Sequence, residues 1–181
     1  MIRVITGPMK SGKSKILSLM YHSEKQPAIA CTSSLDTRTP GMISSRALLD
    51  SIPAISIKDL SEIPFTDSKI FYIDEAEFIT DEHDTLKVIK YLAQHGWTFY
   101  FSGLNEDSDQ KPFGIMPQLI EAAGSDNTLY LTADCEVCGE PASHTKCSVQ
   151  KDSTILVGDE IYYPICDDCL KGGENHEEKD R

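Results

Sequence analysis

The sequence predicts an α/β fold: a phosphate-loop domain with a mainly parallel β-sheet flanked by helices, followed by a small C-terminal metal-binding unit. Three observations carry that prediction. Residues 7–14 read Gly7-Pro8-Met9-Lys10-Ser11-Gly12-Lys13-Ser14 and fill every position of G-x-x-x-x-G-K-[ST]. Short β-rich apolar runs alternate with helical patterns through residue 132, the signature of strands joined by helical crossovers. Two C-x-x-C pairs, Cys135 with Cys138 and Cys166 with Cys169, then flank the segment 139–165.

The elements follow in order. Ile2 to Thr6 reads as a strand entering the loop, and Lys13 to Glu24 as the helix leaving it. A loop in this context turns several backbone N–H groups toward one point, and the helix start adds partial positive charge. Lys13 can reach β- and γ-phosphates, and the Ser14 hydroxyl can ligate Mg²⁺. Ala28 to Thr32 reads as a second buried strand. It opens into a polar loop, 33–46, with Asp36, Arg38 and Arg46. That loop is either a solvated connection or part of a nucleotide edge at the end of the sheet. Residues 47–68 are weakly patterned, with a short helix at Ala47-Leu48-Leu49 and breaks at Pro53 and Pro64.

Ile70 to Asp74 is an apolar run ending in two acids, Asp74 and Glu75. Buried charge is costly unless paired or metal-bound, and Mg²⁺ supplies a reason for Asp74. Thr80 to His95 has Leu86, Ile89 and Ala93 at helical spacing, with Thr80 or Asp81 as cap and Gly96 as stop. Trp97 to Leu104 is another strand. Asn105 to Lys111 reads as acidic and flexible, and a short helix with Pro117 in its first turn runs to Ala123. Phe113 is either a ring-stacking wall or a plug for the core. Thr128 to Thr132 closes the sheet.

The two C-x-x-C pairs give four thiolates in the arrangement that tetrahedral Zn²⁺ prefers, with no open position, hence a structural site. Two redox-active dithiols are the alternative. Cys31 and Cys147 stand outside this set as free thiols, and His144 and His176 are either spare ligands or, the favoured reading, ordinary surface residues. The expected organisation is 1–132, a nucleotide-binding α/β domain; 133–170, a zinc-ribbon unit with an apolar loop, Ile155 to Tyr163; and 171–181, a disordered acidic tail.

A formal net charge of −12 excludes general affinity for nucleic acid, which needs a basic surface. No apolar run approaches the ~20 residues that span a bilayer, and no signal peptide is visible, so a cytoplasmic location is expected. Cysteines in that compartment point to metal or free thiols before disulfides.

Taken together, Gly7-Pro8-Met9, Ser11-Gly12-Lys13-Ser14, Asp36-Thr37-Arg38, Ser44-Ser45-Arg46, Asp74-Glu75-Ala76-Glu77-Phe78, Lys111-Pro112-Phe113-Gly114 and the knuckles around Val157-Gly158-Asp159-Glu160-Ile161-Tyr162 resemble the zinc-containing type II thymidine kinases over residues 2–170. The resemblance implies a kinase that moves the γ-phosphoryl group of ATP to the 5′-hydroxyl of thymidine. It implies that Gly7 to Ser14 hold the phosphates, that Ser14 and Asp74 serve Mg²⁺, and that Glu75 is the general base. Lys13 and Arg38 would stabilise the transferring group, with Asp36 beside Arg38. Met9, Asp36, Phe78, Leu104, Phe113, Thr145 and Tyr162, with Ile155, Val157 and Gly158 of a lasso loop, would line the nucleoside pocket. A homotetramer and feedback inhibition by dTTP are implied as well. The chain departs from the family pattern at Glu77, where Gln is usual, and at Ser108, Cys147 and Val157. These departures bear on base choice and leave the transfer residues in place. The alternatives are a kinase for another pyrimidine deoxynucleoside, and a P-loop ATPase or nucleotide-binding module whose Asp74-Glu75 pair serves water. The set around Phe113, Thr145 and Tyr162, which an ATPase does not need, separates the latter.

Overall fold

The computed structural model describes residues 1–35, 39–44, 51–149 and 161–177 of the chain. Asp36, Arg38, Arg46, Ala47 to Leu49, Ile155, Val157 and Gly158 therefore lie outside the described residues.

Strand β1 (Ile2–Thr6) leads through the glycine-rich loop to helix α1 (Lys13–Ser23), and β2 (Ala28–Ser33) follows. A hairpin of β3 (Met42–Ser44) and β4 (Ser51–Pro53) comes next, then β5 (Ile55–Ile57). Strand β6 (Ile70–Asp74), helix α2 (Thr85–Gln94), β7 (Thr98–Gly103), α3 (Met116–Ala123) and β8 (Thr128–Tyr130) complete the α/β part. The sheet order is β5-β2-β6-β7-β1-β8, and every neighbouring pair is parallel. All C-terminal strand ends thus share one edge, the edge where open parallel sheets bind ligands.

Both faces of the sheet are covered, so its strands read as continuous apolar runs. Alternation sorts them. On β6, Phe71 and Ile73 face a core with Leu86 and Ile89 of α2 and Met116 and Leu119 of α3, whereas Ile70 and Tyr72 face a core with Leu17 of α1. Trp97, Phe71 and Phe99 stack across the first face, and Tyr72 and Tyr100 stack at 4.6 Å on the second.

The hairpin β3–β4 and the edge strand β5 lie in stretches read from sequence as loop or as weakly patterned. Each has three residues, and the hairpin sends one side chain per strand into the core, Ile43 and Ile52. Helix α2 starts at Thr85, not Thr80, because the preceding residues are bonded elsewhere. The Asp59 carboxylate accepts Thr80 Oγ1–H and Glu82 N–H, both at 2.7 Å. Asp81 then accepts the N–H of Thr85 at 2.6 Å, a cap reached from outside the helix. Asn105 to Lys111 is a bonded loop, with the buried Asp107 carboxylate accepting from Asp109 N–H at 2.8 Å and Lys111 N–H at 3.0 Å.

After β8 come β9 (Ala133–Asp134) paired with β10 (Pro141–Ala142), and β11 (His144–Cys147) paired antiparallel with β12 (Tyr162–Ile165). Helix α4 (Asp167–Glu177) extends over residues that the sequence assigns to a disordered tail. Among the described residues, no helix is long and apolar enough to cross a membrane.

Candidate active site

The glycine-rich loop sits at the C-terminal end of β1. Gly7 packs against the Leu131 carbonyl so closely that a Cβ would overlap it. Gly12 is the N-cap of α1, and its carbonyl accepts the first helical N–H, from Ile16, at 3.0 Å. Lys13 folds back over the loop, its Nζ donating to the carbonyls of Pro8 at 2.8 Å and Gly7 at 3.1 Å. Its ammonium therefore stands over the hollow that the loop encloses, where phosphate oxygens can replace those carbonyls.

Asp74 ends β6, two places along the sheet from β1, and β7 lies between them. Its carboxylate is 5% exposed and takes hydrogen bonds from Ser102 Oγ of β7 and from Ser14. Burial pushes the Asp74 carboxyl up, and the Ser102, Ser14 and Glu75 N–H donors with the Lys13 charge oppose it. The donor set of one hydroxyl and one carboxylate, both hard oxygens, fits Mg²⁺. Glu75 follows in a left-handed conformation, φ 55°. That turn leads the chain out of β6 and into the short 3-10 turn Ala76–Phe78. Backbone in this region is strained for a residue with a side chain and is common at functional sites.

Phe78 and Phe113 meet edge to face at 5.2 Å, and both are half-buried. Leu104 is half-buried at the end of β7. Thr145, 3% exposed on β11, accepts the backbone N–H of Met9 at 2.9 Å. A second link joins the loop to the first cysteine pair, because Lys10 Nζ meets Glu136 Oε1, between Cys135 and Cys138, at 2.5 Å. The cysteine-bearing segment is thus fastened to the loop, and Phe78, Phe113 and Leu104 border the same sheet edge. Tyr162 pairs with Cys147 at the far end of the β11–β12 hairpin.

Three contributors were not read from the sequence. Ser102 holds Asp74, and its only signal is a hydroxyl at the end of an aromatic strand. Gln110 donates from Nε2 to the carbonyls of Ser108 at 2.9 Å and Thr145 at 3.4 Å. His144, read as surface, is half-buried and bonded through both ring nitrogens: Nδ1 lies 2.5 Å from Glu106 Oε1 and Nε2 lies 3.2 Å from Asp167 Oδ1. Burial lowers the His144 pKa, but the two carboxylates outweigh it and raise the pKa overall.

The thiols of Cys135, Cys138, Cys166 and Cys169 lie within 4.8 Å of one another, with Cys138 Sγ 3.6 Å from Cys166 Sγ. Tetrahedral Zn–S bonds of about 2.3 Å place sulfurs about 3.8 Å apart, so the cluster is compatible with a structural zinc. Burial pushes the Cys135 thiol up, but N–H groups of Cys166, Cys138 and Val137 bring it down to about 6, whereas the Cys169 thiol is pushed up by its thiol neighbours and the Cys138 thiol is raised as well. Cys31 is buried on β2, and burial raises its thiol to about 12. Cys147 is half-buried and outside the cluster.

A family model described as "Thymidine kinase" matches residues 1–170. A protein of Mycoplasma mobile named "Thymidine kinase" is 35% identical over 182 aligned positions, covering 96% of this chain and 88% of that protein. The loop, the acid-ended strand and the four-cysteine cluster therefore stand in a chain that belongs to the thymidine kinase family.

Proposed function

We propose that this chain transfers the γ-phosphoryl group of ATP to the 5′-hydroxyl of thymidine, giving dTMP. The family membership supports the reaction. The observation that carries the site assignment is the meeting of Lys13, Ser14, Asp74 and Glu75 at one sheet edge, bordered by Phe78, Leu104 and Phe113.

The loop from Gly7 to Ser14 presents its N–H groups to the phosphates, and Lys13 exchanges its carbonyl partners for phosphate oxygens. Ser14 and Asp74 hold Mg²⁺, which when bound neutralises phosphate charge. Glu75 accepts the proton of the sugar hydroxyl as that oxygen attacks in line. Most of the rate then comes from positioning and from charge already in place. Phe78, Leu104, Phe113 and Met9 border the nucleoside, and Thr145 stands beside its base while holding the Met9 N–H. Asp36, Arg38, Ile155, Val157, Gly158 and Tyr162 join this assignment on the family resemblance alone.

The four cysteines hold structural Zn²⁺ and fasten residues 133–170 as a second unit beside the nucleotide-binding part, 1–132. The same resemblance supports a cytoplasmic homotetramer inhibited by dTTP. Sedimentation as a monomer well above assay concentrations would remove the tetramer.

The test is ATP turnover with Mg²⁺, with and without thymidine or deoxyuridine, for wild type and Glu75→Gln. The expected result is dTMP formation, little ATP loss without nucleoside, and a loss of about 10²–10⁴-fold in the variant, as for removal of a general base. Equal ATP hydrolysis with and without nucleoside, and no monophosphate, would overturn the reading in favour of an ATPase.

A further inference from the structure

Glu77 is a buried acid to which the transfer reaction assigns nothing. Its side chain is 4% exposed, and its Oε2 has no hydrogen-bond partner among the described residues. The carboxyl accepts the backbone N–H of Leu104, at the end of β7, and that of Glu77 itself. Its Oε2 fills the place that a side chain on Gly103 would take, next to Met116 Sδ. On its other side the Glu77 carbonyl lies directly on Gly114, again leaving no room for a Cβ. The residue is therefore clamped between β7 and the loop that carries Phe113. It belongs to the short 3-10 turn Ala76–Phe78, which follows Glu75 and ends in Phe78.

A carboxylate buried with an unpartnered oxygen is strongly disfavoured, and taking up a proton removes the charge. Gly103 of β7, Leu104 just beyond it, Met116 of α3 and Gly114 bring no charge toward it. Two charged groups act on it: Glu75 from its own segment and Lys13 from α1. Burial pushes the Glu77 carboxyl well above the ordinary range, and the Glu75 charge adds to this. Lys13 and the two N–H donors act in the opposite direction.

We propose that Glu77 is a positioning residue of the transfer site: an uncharged carboxylic acid that clasps the turn bearing Glu75 and Phe78 to the Gly103–Leu104 end of β7. The proposal rests on the reading of Glu75 as proton acceptor and Phe78 as pocket wall. With Glu77 uncharged, Glu75 is the anionic carboxylate of this turn. An ionised Glu77 would place a second negative charge beside it, draw Lys13 away from the phosphate loop and strain the clasp. Transfer should therefore weaken as pH rises through the Glu77 ionisation.

Two measurements test this on the full chain. The first is the infrared difference between wild type and Glu77→Gln at pH 7. A protonated-carboxyl band that the variant lacks is expected, and its absence would overturn the proposal. The second is kcat/KM for thymidine against pH. Glu77→Ala should lose about tenfold at pH 7, Glu77→Gln, an uncharged isostere, should recover most of it, and the alkaline fall of the wild type should move to higher pH in Glu77→Gln. An unmoved alkaline fall in Glu77→Gln, or no rescue, would overturn the positioning role. If wild type makes no dTMP, the functional reading fails, while the infrared band still decides whether Glu77 is the uncharged clasp.

Discussion

Gly114 tests whether the turn after β6 and the loop after β7 form one wall. It has a φ of 52°, and a Cβ there would overlap the Glu77 carbonyl oxygen and lie 2.7 Å from the carbonyl carbon. Gly96, just past α2, has a φ of 88° and nothing within 4 Å of the same hypothetical atom. Gly96→Ala therefore meets only the cost of left-handed backbone, about 1–2 kcal/mol. Gly114→Ala meets that cost and a clash with backbone, which cannot swing aside as a side chain can, worth about 1–3 kcal/mol more. At about 2–4 °C per kcal/mol for a chain of this size, Gly114→Ala should melt about 2–12 °C below Gly96→Ala. Relief of the clash must also shift Phe78 or Phe113. Loosening their edge-to-face contact, worth about 0.5–1.5 kcal/mol, lowers kcat/KM for thymidine by about 2–12-fold. The KM for ATP should hold, since the loop 7–14 is untouched. Thermal melts and steady-state kinetics on the two variants decide the matter. Equal melting temperatures, or an unchanged thymidine kcat/KM in Gly114→Ala, refute the reasoning.

Two further predictions concern the framework. Asp59 is buried, which raises its pKa, but the Ser61, Glu82 and Thr80 donors outweigh that and hold it well below the usual carboxylate range. A depressed folded pKa gives stability that is present above the unfolded value, about 3.9, and is lost as pH falls further. Asp59→Asn should melt about 4–8 °C below wild type at pH 7, the equivalent of about 2 kcal/mol in charged hydrogen bonds, and the gap should start to narrow as pH falls below about 4, closing only at pH values well below that. A gap independent of pH would count against this account. Stripping metal from the loaded protein should abolish hydrogen-exchange protection in β11 and β12, whose small hydrophobic cluster, among the described residues, buries Ala142 and Ile165 beside Cys135 and Cys166. Strands β6 and β7 should keep theirs. Full protection of β11 and β12 after verified metal loss would mean that the cysteines do not hold this segment together.

The sequence shows an element well when burial is total and shows it poorly when a few contacts carry it. Strand β6 is visible because Phe71 and Ile73 fill one core and Ile70 and Tyr72 the other, leaving no polar interruption before Asp74. The β3–β4 hairpin is not, since a lone buried Ile43 or Ile52 among polar neighbours has no period to detect. The same distinction applies to the site. Residues 7–14 and the cysteine pairs are contiguous or regularly spaced, so chemistry and geometry are written together. The groups that hold them are not: Ser102 reaches Asp74 across 28 positions, and Thr145 reaches Met9 across 136. A serine ending an aromatic strand looks like any other until β7 is known to lie between β1 and β6. Glu77 is the sharpest case. Three residues past Asp74, it stands in the sequence as an acid where Gln is usual, yet its carboxyl is buried with Oε2 unpartnered among the described residues, and burial pushes its pKa up. Residue type sets what a side chain can do. Which of its protonation states the site contains is decided by neighbours that only the fold brings together.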